Sequence, residues 1–65
     1  MTKAEAQRLM LKHGITVNDL VAAGVAMTRE ALNKRLMGSV AGREGQRLIP
    51  HTLEVYLLRF ASGRE

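Results

Sequence analysis

Arg29, Glu30, Asn33 and Lys34 are the residues whose types and spacing suit a definite chemistry, hydrogen bonding to the edges of base pairs. An arginine donates two hydrogen bonds to guanine, an asparagine pairs bidentately with adenine, and a glutamate accepts from the cytosine amino group. At about 3.6 residues per helical turn, these four and Met37 share one side of a helix, while Ala31, Leu32 and Leu36 share the other. Arg35 falls at the boundary. Five cations (Arg29, Lys34, Arg35, Arg43, Arg47) and two anions (Glu30, Glu44) lie between positions 29 and 47, so most of the net charge of +4 sits in the middle third. Such a concentration attracts a polyanion.

The other reactive residue types lack companions. His13 lies near a helix end, where it suits the helix dipole, and His51 lies in a first turn; neither has partners at ligand spacing, so no metal is expected. The chain has no cysteine, which removes disulfides, zinc-thiolate sites and thiol nucleophiles and favours a reducing, cytoplasmic setting. Ser39 and Ser62 have no neighbouring base, and the one Asp and five Glu show no pairing suited to a cleft. Gly38, Gly42 and Gly45 do not stand between a strand and a helix, as a nucleotide-cradling loop requires. No enzyme activity and no cofactor are expected. No apolar run approaches the roughly 20 residues of a membrane span, and the start lacks a signal-peptide stretch, so a soluble protein without a membrane partner is expected.

The elements that must position the polar face follow from local signals. Sixty-five residues, 46% hydrophobic and 25% charged, make one small folded domain. Thr2 with Glu5 and Thr16 with Asp19 have the form of capping boxes. They predict a first helix over Lys3 to His13, closed by Gly14, and a second over Val17 to Ala23. Ala6, Leu9, Met10 and His13 form the inward stripe of the first, with Leu11 off it. Leu20, Val21 and Val17 turn inward in the second. After a short apolar turn from Gly24 to Met27, Thr28 caps a third helix, Arg29 to Met37.

Gly38 to Ile49 contains three glycines, two arginines and no periodicity, and reads as a flexible basic loop. A small wing pairing Val40 and Ala41 with Leu48 and Ile49 ranks second. Pro50 opens a last helix, His51 to Ala61, with Leu53, Tyr56, Leu57 and Phe60 on one stripe and Val55 and Leu58 on another side. Two apolar faces are more than so short a monomer covers, which predicts a homodimer through Val55, Leu58 and Arg59. The expected fold is an all-α bundle of four short helices, its second and third forming a helix-turn-helix.

Val21, Ala22, Val25, Ala26, Met27, Thr28 and Leu32 resemble the Leu-Ala-x-x-Leu-Gly-Val-Ser-x-x-x-Ile pattern of the Cro and C-repressor type of phage regulators. The resemblance spans Leu9 to Ala61. Pro50, Thr52, Leu53, Leu57 and Ala61 are also similar to the closing helix of the small phage-borne anti-CRISPR-associated repressors. Ala26 stands where the turn usually has glycine, the interval from Thr16 to Ala22 is longer than usual, and Arg35 occupies a place that is commonly apolar.

The resemblance implies a sequence-specific transcriptional regulator, a repressor that binds an inverted-repeat operator of double-stranded DNA as a homodimer. It implies that Arg29, Glu30, Asn33 and Lys34 read bases, and that Thr16, Thr28, Arg35, Arg43 and Arg47 contact phosphates. The competing expectation is a small basic adaptor or antirepressor that grips a protein and has no DNA sequence preference. Structured RNA ranks third, because Tyr56 and Phe60 are the only aromatic residues and both fall on the apolar helix.

Overall fold

The computed structural model describes residues 1–63. Five helices follow one another: α1 (Lys3–His13), α2 (Val17–Ala22), α3 (Arg29–Leu36), α4 (Arg43–Gln46) and α5 (His51–Gly63). The expected small all-α architecture is present, with one more helix than the local signals predict.

Both capping boxes form. Thr2 Oγ1 accepts from the Glu5 N–H at 3.2 Å, Thr16 Oγ1 accepts from the Asp19 N–H at 3.2 Å, and each carboxylate accepts in return from the cap's own N–H. Gly14, in left-handed geometry, closes α1. The turn between α2 and α3 also uses a left-handed residue, Gly24 at φ 87°. Ala26 therefore needs no unusual backbone, because the glycine stands two places earlier.

The core is a cluster in which Leu20 of α2, Leu32 and Leu36 of α3, and Leu53 and Leu57 of α5 are fully buried. Burying each contributes about 1.5–3 kcal/mol. Ala6, Met10, Ile15, Val25 and Ile49 fill the spaces between them. α1 packs on α3, α4 and α5, while α2 packs on α3.

Several expectations are corrected here. Val21 is 40% exposed, and Leu20 beside it is fully buried as expected. Gly38 to Ile49 is not a flexible loop throughout, because it contains α4 and its far end is fastened to the start of the chain. The Lys3 N–H donates to the Arg47 carbonyl at 2.8 Å, and the Ile49 N–H donates to the Met1 carbonyl at 3.1 Å. Leu48 bridges antiparallel to Thr2 rather than pairing in a wing with Val40 and Ala41. Pairing between distant segments leaves no local trace in the sequence. Tyr56 and Phe60 are only half-buried, at the edge of the core rather than within it.

Candidate nucleic-acid interface

α3 is built to show one side and hide the other. Thr28 starts it, accepting from the Ala31 N–H at 3.1 Å, which leaves the hydroxyl hydrogen for an outside acceptor. Met37, in extended geometry, ends it. Leu32 and Leu36 seal the inner side. With about 100° between successive residues, Glu30 and Lys34 lie opposite those leucines, Arg29 and Asn33 on one flank, and Ala31 and Arg35 on the other.

Arg29, Glu30, Asn33, Lys34 and Arg35 are all exposed. Among the described residues, none of these five side chains makes a hydrogen bond or ion pair. Of the cations outside α3, Arg8, Lys12, Arg43 and Arg59 are likewise in no ion pair among the described residues, whereas Arg47 Nε lies 3.0 Å from Glu44 Oε1 and Lys3 Nζ lies 3.6 Å from Glu44 Oε2. The polar side of α3 is thus a row of donors, with acceptors on Glu30 and Asn33, whose hydrogen-bonding capacity is unspent.

The flanks of α3 lead to different neighbours. Ala31, Lys34 and Arg35 line an open cleft of about 550 Å³ with Lys3, Glu44, Arg47, Leu48 and Ile49. Met37 and Gly38, past the end of α3, line a separate depression with Thr16. The phosphate candidates Arg35 and Arg47 are therefore brought together with Lys34, whereas Arg43, exposed on α4, does not line that cleft. Thr16 lies on another side, near the carboxyl end of α3. Arg29, Glu30 and Asn33 line none of these depressions.

Lys3 and Glu44 are the site residues that sequence reading missed. Lys3 is a buried cation, 7% exposed, whose backbone is tied to Arg47. No spacing signal joins the start of the chain to position 47, so only the fold could reveal the pair.

Of the expected dimer residues, Leu58 is 51% exposed, Arg59 is exposed and Val55 is half-buried. Beside them, Ala23, Tyr56, Arg59, Phe60 and Gly63 line a shallow depression of about 430 Å³.

Among the described residues no group of three or more His, Cys, Asp or Glu is placed to hold a metal ion, and no helix is long and apolar enough to cross a membrane. No protein-family model, curated protein or solved structure matches the chain, so its functional reading rests on the geometry of α3 and its flanks.

Proposed function

We propose that this chain is a sequence-specific double-stranded-DNA-binding regulator, a repressor that occludes its operator, with α3 as the reading helix in the major groove. The observation that carries this reading is the unspent polar row of α3, held rigid by two fully buried leucines on its other side. A major groove admits an α-helix, and arginine and asparagine supply the donor patterns that distinguish guanine and adenine. Arg29 and Asn33 read base edges, Glu30 accepts from cytosine or excludes misplaced phosphates, and Thr28 meets a phosphate at the helix start. α2, packed on α3, braces it as the first helix of a helix-turn-helix does. The resemblance of residues 9–61 to the Cro and C-repressor type of regulators points the same way, and no catalytic step is assigned to the chain.

Two copies joined through α5, with Leu58 and Arg59 at the contact, would present two reading helices to an inverted repeat. Half-sites on one face of B-DNA are centred about 34 Å apart. A single copy carries one such helix and so occupies one half-site.

A gel shift with duplexes from the DNA flanking its own gene tests the reading. One of these duplexes should be retained at concentrations where a scrambled duplex of the same composition is not. Equal retention of both would replace this reading with non-specific polyanion binding or with the protein adaptor.

A further inference from the structure

The open cleft beside α3 holds four cations, Lys3, Lys34, Arg35 and Arg47, and one carboxylate, Glu44. Its central member is unusual. Lysine is seldom buried unless closely paired, yet the side chain of Lys3 is 9% exposed and its Nζ stands 3.6 Å from Glu44 Oε2, longer than a charge-assisted hydrogen bond. Glu44 spans two cations at once, its other oxygen engaged by Arg47. Lys34 and Arg35 contribute charge with no carboxylate of their own among the described residues.

We infer that this cleft is a phosphate clamp that takes one backbone phosphodiester of duplex DNA, and that Glu44 is the internal counter-ion the phosphate displaces. The inference rests on the DNA-binding reading and deepens it by moving Lys34 from base edge to backbone and by adding Lys3. The Lys3 N–H to Arg47 carbonyl bond at 2.8 Å holds together the two backbone segments that carry these cations, which reduces the ordering cost of binding. The cleft is also open and partly apolar. Ala31, Ile49 and Leu48, the last 72% exposed, offer a wall for the carbon face of a deoxyribose, as a phosphate within a chain requires and a free ion does not.

The test compares wild type with Lys3→Met and Glu44→Gln by fluorescence polarisation, on a labelled duplex from the flanking DNA and on its scrambled counterpart, across a salt series. Lys3→Met keeps the buried stem and removes the charge. It should weaken binding to both duplexes about tenfold and make the salt dependence shallower by about 0.9 in log–log slope. Glu44→Gln keeps the size of the side chain but leaves the buried Lys3 without its counter-charge, so its melting temperature is measured alongside to verify the fold; it should tighten binding to both duplexes and steepen the slope. The ratio between the two duplexes should stay unchanged in each variant. Wild-type behaviour in both variants would overturn the clamp while leaving the DNA reading intact. Should wild type bind no duplex, the DNA reading falls and the clamp falls with it.

Discussion

Gly45 shows what a single residue can hold in place. A Cβ built there would overlap the Val40 carbonyl oxygen and crowd its carbon, and both belong to the backbone, so neither can swing aside. Gly45→Ala should therefore destabilise the chain by about 1–3 kcal/mol through overpacking, read as a lowered midpoint in thermal denaturation; an unchanged midpoint would mean that the segment before α4 relocates freely. Glu54 is a second such residue. The α-ammonium of Met1 donates to its Oε1 at 2.7 Å, and His51 Nδ1 stands 3.3 Å from Oε2. That hydrogen bond holds the carboxyl below the ordinary glutamate range, against an opposing push from desolvation. A carboxylate depressed in the folded state adds stability above its unfolded value and loses it as pH falls through the folded one. Melting temperatures should thus drop in acid below the ordinary glutamate range, and Glu54→Gln should flatten that part of the profile; parallel profiles for the two proteins would contradict the pairing.

At the scale of elements, α1, α2 and α3 begin with threonine caps whose signals are local, and all three were legible in the sequence. Thr28→Ala should cost about 1 kcal/mol by freeing the Ala31 N–H, measured by denaturant titration, with Thr28→Ser retaining most of the stability; equal losses for both substitutions would locate the effect in the methyl group instead. The polar and buried sides of α3 were legible too, because Leu32 and Leu36 recur at helical spacing among charged residues. α4 and its surroundings were not. Its cap is Gly42, which has no side chain to announce a helix start, and the segment after it is held by backbone hydrogen bonds to the far end of the sequence, Lys3 N–H to the Arg47 carbonyl and Ile49 N–H to the Met1 carbonyl. For the same reason Lys3 reads locally as an ordinary first-turn lysine, although the fold places it in a basic cleft. Val21 misled through proximity: Leu20 and Val21 both suit an apolar face, and a helix as short as α2 gives periodicity too little length to choose between them.

Across the whole molecule, the proposed repressor would present two reading helices at once, and α5 is the element proposed to join them. Leu58, half-exposed on the side of α5 away from the Leu53 and Leu57 stripe, is the natural contact. Leu58→Glu should leave the melting temperature nearly unchanged, shift the sedimentation of the protein from dimer to monomer, and weaken binding to a full inverted repeat far more than to a single half-site. A wild-type chain that sediments as a monomer at the concentrations where it binds operator would remove α5 from the interface. The central claim, that α3 reads sequence, is met most directly by equilibrium titration of Arg29→Ala, Asn33→Ala and Arg43→Ala on matched and scrambled duplexes. Losing Arg29 or Asn33 should cost about 1–3 kcal/mol on the matched duplex and little on the scrambled one, while losing Arg43 should weaken both alike. Equal losses on the two duplexes for all three variants would contradict it.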